Sequence, residues 1–422
     1  MKFEFLRKTA PARLGYLCLI PVLPVYLVIV YVLFDGQLDG DEGRYLWFAE
    51  NILNGFYSPY APDINLWNGP GYPLLLAPFL WLGASHFQLV LLNACLHFGA
   101  VMMVYAILKK FYSVRISLIA SLVWAGWFFA YAEMSQILSE SYTIFLLTLF
   151  GYLITSAGGR LRWQILAGFV LGLIILTKVI FLYVLLLLMG FYAFRALVRK
   201  QISGAYATLF LTSCFTILPY VIYTYQVTGK FLYLSNAGGM SLYWMSTPHP
   251  NEFGDWNSRA LDAYCWDTNV ICNQPYFEKH HGSFMAKINA LTPLERDAAF
   301  REQAIRNIRQ HPVAFVKNTL ANFLRMFFNY PESYNFPRNS TLVRMVPGAF
   351  LMCCTLISLA MCWIFIRRLP SEMMLLLLLA TFYLGGSSLL SAYPRMLHVV
   401  LPILMVFFVQ TFTKILKIRL AD

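Results

Sequence analysis

The chain has 422 residues, of which 59% are hydrophobic and only 12% are charged, and its formal net charge is +12. Because soluble globular proteins carry about 25% charged residues, this composition excludes a soluble protein and indicates an integral membrane protein. The basic residues are scattered between apolar segments. This pattern is typical of cytoplasmic loops and argues against nucleic acid as a partner.

Apolar runs long enough to cross a bilayer recur along the chain. The first run, 14–34, follows several basic residues as a signal sequence does. It has span length and no small-residue cleavage site before Asp35, so it predicts an uncleaved helix. The segment 165–194 is interrupted by Thr177 and Lys178, and it fits either one long helix or two short ones. The other predicted spans lie near 87–108, 116–132, 137–157, 206–227, 346–366, 373–390 and 396–415.

The basic residues between these runs decide the topology, because cytoplasmic loops carry an excess of Lys and Arg. All of the basic clusters lie in the cytoplasm only if 165–194 crosses the membrane twice. Lys178 then lies at the external end of a helix pair, on the same side as Asp41. The clusters are Lys109 and Lys110, Arg160 and Arg162, Arg195 and Arg199, Arg367 and Arg368, and Lys414 and Lys417.

We therefore predict an all-α polytopic membrane protein with about ten membrane segments and both termini in the cytoplasm. An N-terminal membrane module, 1–227, contains the first external loop, 35–86. A large external loop, 228–344, and C-terminal membrane helices, 345–422, follow. In the large loop, 293–309 is predicted as a helix capped by Thr292, and 312–328 as a second, amphipathic helix.

The first external loop carries the most informative residues. Asp39, Asp41, Glu42 and Arg44 follow the first span directly, where charge costs little and can face both water and a lipid headgroup. The apolar positions in 45–53 are spaced as on one face of a helix, which predicts a helix lying in the membrane interface. Prolines and glycines then break the chain, and a second apolar piece returns to the bilayer after 69–73.

The sequence Asp41-Glu42-Gly43-Arg44-Tyr45 resembles the Asp-Glu-x-Arg-Tyr motif in the first external loop of GT-C membrane glycosyltransferases. The aminoarabinose transferases and the bacterial relatives of protein O-mannosyltransferases are especially similar. This resemblance implies that Asp41 is the catalytic base and that Arg44 contacts the donor phosphate. Glu42 is a second acid that could orient Asp41 or hold the acceptor. Asp39 competes with Asp41 for the role of base, and Tyr45 is assigned to the substrate site.

Other segments extend the resemblance to a GT-C-like bundle with an interfacial helix in its first loop. The segment from Gly168 through Gly172 to Lys178 is similar to a Gly-x-x-x-Gly-Leu…Leu-Thr-Lys stretch common in these enzymes. Glu140 resembles their second acidic site, and Arg395 follows Tyr393 and Pro394 as in a late arginine-bearing helix. Lys178 and Arg395 are thus candidates for binding the donor phosphate. Their structural alternatives are a snorkelling lysine and an interfacial anchor.

Two departures limit the transfer of function from the family. The aminoarabinose transferases carry a Lys-Pro-Pro-like sequence where this chain has Asn68-Gly69-Pro70-Gly71, so the identity of the donor does not carry over. The sequence ends at Asp422, soon after its last predicted span, without a large C-terminal soluble domain. Acceptor binding is therefore expected in the large external loop and the membrane groove.

Cysteine and histidine residues in the large external loop raise two further questions. Cys265 and Cys272 are expected to form a disulfide if that side of the membrane is oxidising. Glu278, His280 and His281 suggest a metal site, but adjacent histidines do not easily bind one ion with regular geometry. We expect no cofactor and no metal site, although the sequence leaves a divalent metal open.

The resulting hypothesis is an inverting glycosyltransferase, a hexosyl or pentosyl transferase of the cell envelope. Its donor would be a polyprenyl-phosphate-linked sugar, and its acceptor a glycolipid, a polysaccharide or a protein. Such a donor stays in the membrane lipids, so we expect reaction at the periplasmic or extracellular face of a bacterial inner membrane. The alternatives are a lipid-linked glycan flippase or transporter, and a GT-C-like oligosaccharide polymerase or ligase.

Overall fold

A computed structural model describes residues 13–38, 40–199, 204–256, 276, 278–334, 336–337, 339–390 and 392–415. Within these ranges all regular secondary structure is helical. The helices are α1 (Arg13–Leu33), α2 (Asp41–Leu53), α3 (Gly71–Trp81), α4 (His86–Leu108), α5 (Val114–Ala125), α6 (Tyr131–Met134), α7 (Glu140–Ala157), α8 (Leu161–Thr177), α9 (Ile180–Arg199), α10 (Gly204–Thr228), α11 (Gly238–Met245), α12 (Ser283–Ile288), α13 (Pro293–Gln310), α14 (Pro312–Phe328), α15 (Asn339–Ile364), α16 (Ser371–Ser388) and α17 (Pro394–Gln410).

Seven of the described helices, α1, α4, α9, α10, α15, α16 and α17, are long and apolar enough to cross a membrane. α5 forms an eighth span together with 128–134 if the 46° bend between them lies within one crossing. The protein is therefore an integral membrane protein with an all-α bundle, as predicted. α7 has 18 residues and α8 is an apolar helix of 17 residues. Counting both as spans gives the predicted total, which stays a prediction.

The segment 165–194 forms two helices rather than one. α8 ends at Thr177 and α9 begins at Ile180, with Lys178 in an extended conformation between them. α8 packs closely against α10 through its two spaced glycines. A Cβ on Gly168 would lie 2.4 Å from the Leu209 carbonyl oxygen, so the Gly-x-x-x-Gly spacing is explained by helix contact.

The two ends of the bundle can be told apart by which helix ends meet. Lys110 Nζ, just after α4, donates to the Tyr152 carbonyl at 3.1 Å, close to the end of α7. The Tyr112 hydroxyl donates to Gln410 at the end of α17. The first residues of α7 and α17 lie at the opposite end. The basic connection after α4 thus lies at the opposite end of the bundle from the acidic start of α7. This arrangement agrees with the positive-inside rule.

Between α10 and α15, the described part of the segment 229–338 contains α11 to α14 and has a small apolar core of its own around Tyr243, Trp244 and Phe300. The predicted cap of α13 is present, because the Thr292 hydroxyl and the Glu295 carboxylate each accept from the other residue's backbone N–H. α14 begins and ends where the sequence predicted. Cys265 and Cys272 lie outside the described residues, and the division into 1–227, 228–344 and 345–422 stays a prediction.

Candidate active site

Asp41 begins α2, and two arginines hold its carboxylate. Arg44, one turn further along α2, donates to Asp41 Oδ1. Arg395, in the first turn of α17, donates from Nη1 to Asp41 Oδ2 at 2.7 Å. A carboxylate in the first turn of a helix is also favoured by the helix dipole. The three side chains are between 22% and 33% exposed, so a substrate can reach them.

A second carboxylate lies beside this pair, on the other side of Arg395. Glu140 begins α7, and its side chain is 2% exposed. Lys178 Nζ donates to Glu140 Oε1 at 2.8 Å, and Arg395 Nε lies 3.9 Å from the same oxygen. Arg395 therefore bridges the two carboxylates. One charged cluster is thus formed by residues far apart in the sequence. They come from α2, α7, the break after α8 and the start of α17.

The charge state of Asp41 follows from its neighbours. Burial raises the pKa of the Asp41 carboxyl, but the guanidinium groups of Arg395 and Arg44 lower it by more. The net pKa is below the ordinary value for aspartate. The carboxylate is therefore ionised at neutral pH, which is the form that can accept a proton.

The charged cluster lines a cavity of about 990 Å³, which we call the ion-pair cavity. Two tryptophans form part of its wall. The Arg44 guanidinium lies 5.0 Å from the centre of the Trp67 ring, and Trp67 meets Trp256 edge to face at 6.0 Å. Glu133, which accepts from His398 Nδ1 at 3.2 Å, and Arg344 also line the cavity.

Some polar atoms in this wall are left for a ligand. Among the described residues that line the cavity, four buried side-chain atoms have no hydrogen-bond partner: Arg44 Nε, Asn68 Oδ1, Glu140 Oε2 and Ser387 Oγ. Buried polar atoms are almost always paired in folded proteins. One unpaired donor, two unpaired acceptors and one unpaired hydroxyl around a cavity therefore match a ligand that carries both an anionic group and hydroxyl groups.

The remaining residues predicted for the site fall in different places. The Tyr45 hydroxyl meets Ser139 Oγ at 2.9 Å, and Tyr45 lines the cavity. Glu42 is buried elsewhere, where its Oε1 accepts from the Ile137 backbone N–H at 2.6 Å. This contact attaches α2 to the segment before α7 and leaves Glu42 outside the cavity lining. Asp39 lies outside the described residues.

The re-entry loop contacts the charged cluster through glycines. A Cβ on Gly69 would lie 2.1 Å from the Leu176 carbonyl oxygen, and one on Gly71 would lie 2.4 Å from Thr177 Oγ1. Both contacts are made to the end of α8, directly before Lys178. The stretch in which this chain departs from the aminoarabinose transferases thus packs its backbone against the two residues that precede Lys178.

We expect Gly69→Ala to displace Lys178 and to lower both the thermal midpoint and the affinity for the anionic ligand. The added methyl group would collide with a backbone carbonyl, which cannot move aside as a flexible side chain can. Gly43→Ala is the matched control, because a Cβ there meets nothing within 4 Å and alanine favours the helix. Thermal unfolding and ligand titration of both variants in detergent would check this. A Gly69→Ala protein that equals the Gly43→Ala protein in both measurements would contradict it.

Comparison with known proteins gives a fold but no sequence family. No family model matches the chain, and no curated protein matches it. The oligosaccharyltransferase AglB from Archaeoglobus fulgidus, in complex with an inhibitory peptide and a dolichol-phosphate, is similar with a TM-score of 0.50 and 14% identity. A crystal structure of the Archaeoglobus fulgidus enzyme tethered to an acceptor peptide gives a TM-score of 0.51 and 13% identity. Each match covers 94% of this chain and 50% of the other chain.

The chain has the GT-C fold. The resemblance read from the sequence is thereby confirmed at the level of the fold. The chain spans about half the length of the archaeal transferases it matches. ArnT from Cupriavidus metallidurans, bound to undecaprenyl phosphate, is 13% identical with a TM-score of 0.41, over 93% of this chain and 76% of that chain.

Several residues of this GT-C cavity were missed as site residues by the sequence reasoning. Trp67 lies in the first external loop, but its sequence neighbourhood gave no sign that it would contact Arg44. Glu133 directly follows the predicted span 116–132 and was given no role. Arg344 was read only as the end of the large external loop. The available signal was a charged residue at the end of a predicted span, and Glu133 and Arg344 both lie at such a position.

Proposed function

We propose that the protein is an inverting glycosyltransferase that moves a sugar from a polyprenyl-phosphate donor to an acceptor hydroxyl. The observation that carries this proposal is the bridging of two carboxylates by Arg395, with Arg44 and Lys178 beside them, in one cavity at the end of the bundle. A membrane-tethered donor brings its phosphate to the level where spans meet water, and these residues lie where their helices begin.

In the proposed reaction, Asp41 accepts the proton of the acceptor hydroxyl as the hydroxyl oxygen attacks the anomeric carbon. A new carbon–oxygen bond forms while the bond from the anomeric carbon to the phosphate oxygen breaks. The bonding electrons leave with the polyprenyl phosphate. Attack opposite to the leaving group in a single step inverts the anomeric configuration, and the transition state resembles an oxocarbenium ion, as in glycoside hydrolysis.

Arg44, Lys178 and Arg395 are proposed to bind the donor phosphate. With Asp41 and Glu140 ionised, the three cations leave the cluster with one net positive charge, which favours an anionic headgroup. The leaving phosphate gains negative charge in the transition state, and preorganised cations stabilise that charge. The unpaired Arg44 Nε is one donor already free for a phosphate oxygen.

The other residues of the cavity have supporting roles in this proposal. Glu140 Oε2 is an unpaired acceptor for a sugar or acceptor hydroxyl. Trp67 and Trp256 offer ring faces and edges against which a sugar ring can pack. We assign Glu42 the role of positioning α2, because its carboxylate binds the backbone before α7.

An apolar crevice of about 300 Å³ between α5, α15 and α17 is proposed to receive part of the prenyl chain. Trp127 lines the crevice, and two residues later the Phe129 ring lies 4.3 Å from the guanidinium carbon of Arg344. Arg344 in turn lines the ion-pair cavity. Apolar and charged surfaces therefore adjoin, as a phosphate on a long hydrocarbon requires.

We expect Arg44→Gln to move the acid limb of the pH profile to higher pH. Arg44 is one of the groups that lower the pKa of Asp41, so its removal raises that pKa. Because the base must be deprotonated, the decline of kcat/KM on lowering the pH would begin at a higher pH in Arg44→Gln than in the wild type. The measurement is kcat/KM against pH, with the exposed Arg309→Gln as control. If the acid limb of Arg44→Gln were unchanged, Asp41 would not be the group whose protonation sets that limb.

The proposed function is tested by incubating membranes that contain the protein with a panel of radiolabelled polyprenyl-phosphate sugars. Transfer of label to a glycolipid, polysaccharide or protein, absent with Asp41→Asn, would support it and identify both substrates. Label that crosses the bilayer while still on its lipid would instead indicate the flippase alternative. The same panel assigns the sugar as a hexose or a pentose and, with sealed vesicles, the membrane face.

The second candidate is an oligosaccharide polymerase or ligase. It is favoured by the size of the ion-pair cavity, which at about 990 Å³ lies at the upper end of ordinary ligand pockets. A lipid-linked oligosaccharide included in the panel separates the two candidates. Transfer from that donor, with no transfer from any single sugar on polyprenyl phosphate, would favour the ligase and contradict the first proposal.

A further inference from the structure

Three histidines and one glutamate meet in the 229–338 segment. His249 and Glu252 come from the loop after α11, and His280 and His281 come from the π-helical turn Glu278–Gly282. One ligand nitrogen from each histidine lies within 4.8 Å of the others. None of the four residues lines the ion-pair cavity. π-helical turns are rare and often occur at functional sites, so this cluster calls for a chemical explanation.

The glutamate supplies the decisive feature. Glu252 Oε1 lies 3.1 Å from His281 Nε2 and 3.1 Å from His280 Nδ1. Its second oxygen, Oε2, is buried and has no hydrogen-bond partner among the described residues. A buried carboxylate oxygen without a partner is costly, and a bound ion is one of the few groups that removes the cost.

The surroundings resemble those that support metal ligands in proteins. The Tyr334 hydroxyl donates to Glu252 Oε1 at 2.8 Å. The Tyr243 hydroxyl lies 2.7 Å from His281 Nδ1, so it can accept the proton of that nitrogen when Nε2 binds a metal ion. Ligand histidines almost always place their other ring nitrogen in such a contact, and ligand carboxylates are themselves hydrogen-bonded.

From this geometry we propose a zinc site formed by His249, His280, His281 and Glu252. Imidazole nitrogens with one carboxylate oxygen suit Zn²⁺ and exclude Mg²⁺, which prefers oxygen ligands. The proposal is independent of the glycosyltransferase activity. The adjacent histidines alone did not predict it, because His249 is far from them in sequence and joins them only in the fold.

Binding requires the side chains of the cluster to rearrange. Zn–N bonds of 2.0–2.1 Å in a tetrahedral site place ligand atoms about 3.4 Å apart. The three histidine nitrogens now lie within 4.8 Å of one another, so they would have to move closer. The His249 ring now stacks on the His280 ring at 3.9 Å and 10°, so the two cannot point their lone pairs at one ion. His249 is half-buried in a loop, and rotation of its side chain would bring it into place.

The ion would be structural. His249 and Glu252 precede residues 257–275 and His280 and His281 follow them, so one ion would fasten both sides of that stretch together. Glu252 also lies close to the part of the loop that meets α17, because the Tyr393 hydroxyl donates to Asp255 Oδ1 at 2.6 Å. Zinc would therefore fix the loop that contributes Trp256 to the ion-pair cavity.

The test uses the full chain purified in detergent without a polyhistidine tag, stripped with a chelator and titrated with Zn²⁺ alone. We expect about one zinc per chain by elemental analysis, a higher thermal midpoint with zinc, and no response to Mg²⁺. His281→Ala and His249→Ala should lower the zinc affinity by about 100-fold or more, and Tyr334→Phe by about tenfold. His86→Ala, which removes an exposed histidine at the start of α4, is the matched control.

Each result has a defined meaning. Zinc retained at one per chain in both His281→Ala and His249→Ala would overturn the site, and so would a wild-type protein that binds no more zinc than buffer. His249→Ala keeps the proposal testable if His281→Ala does not fold, because His249 is half-buried and its removal leaves the Glu252 contacts in place. Loss of zinc in both variants but not in His86→Ala would support the proposal.

Discussion

Asp41→Asn is expected to lower kcat by about 10²–10⁴-fold, the range that a positioned general base contributes. Asparagine keeps the shape of the side chain but cannot accept the proton of the acceptor hydroxyl. Donor affinity should be unchanged or tighter, because Arg44 and Arg395 lose the carboxylate that now competes with the phosphate for them. Single-turnover transfer and a separate donor-binding titration would resolve the two effects.

The control for this variant is Glu50→Gln, which removes an exposed acid from the same helix. We expect its transfer rate to match that of the wild type. If Asp41→Asn turned over normally, Asp41 would have no role as base, and Asp39 or Glu140 would take its place. If instead donor binding were lost together with turnover, Asp41 would be needed to hold Arg44 and Arg395 in position.

Lys178→Met is expected to lower both the stability and the donor affinity of the protein. Breaking a buried ion pair by removing one partner costs about 3–5 kcal/mol, and here it would leave Glu140 with only the more distant guanidinium of Arg395. Loss of a charge-assisted hydrogen bond to the phosphate should weaken donor binding by about tenfold to hundredfold. Thermal unfolding and donor titration measure the two quantities separately.

The double variant Lys178→Met/Glu140→Gln distinguishes a phosphate ligand from a purely structural lysine. Because it removes both charges, most of the lost stability should return while the donor affinity stays low. Lys287→Met, which removes an exposed cation on α12, should change neither quantity. If the double variant recovered the wild-type donor affinity, the role of Lys178 would be confined to its ion pair with Glu140.

The sequence predicted the parts of the cluster that lie where a span meets water. Asp41, Lys178 and Arg395 each adjoin an apolar helix of recognisable length, so topology alone placed them on one side of the membrane. Their contacts in the fold agree with that placement. The break at Lys178 was also predictable, because Arg195 and Arg199 required a second crossing.

Features that depend on side-chain direction could not be predicted in this way. Asp41 and Glu42 are neighbours in sequence, but consecutive residues of a helix point about 100° apart. Asp41 therefore faces the cavity while Glu42 faces the backbone of Ile137. Trp67 reaches Arg44 only because the re-entry loop is held against α8 by Gly69 and Gly71, a contact that no local pattern encodes.

In the proposed reaction, the bridge formed by Arg395 has a consequence for the order of events. While Arg395 and Arg44 hold the Asp41 carboxylate, they lower its pKa. Without a bound donor, the carboxylate is therefore a weak base. A lipid headgroup that draws these guanidinium groups toward itself would release the carboxylate only once a sugar is in place. The carboxylate would then become a competent base only after the donor has bound, which predicts ordered kinetics in which the donor binds before the acceptor.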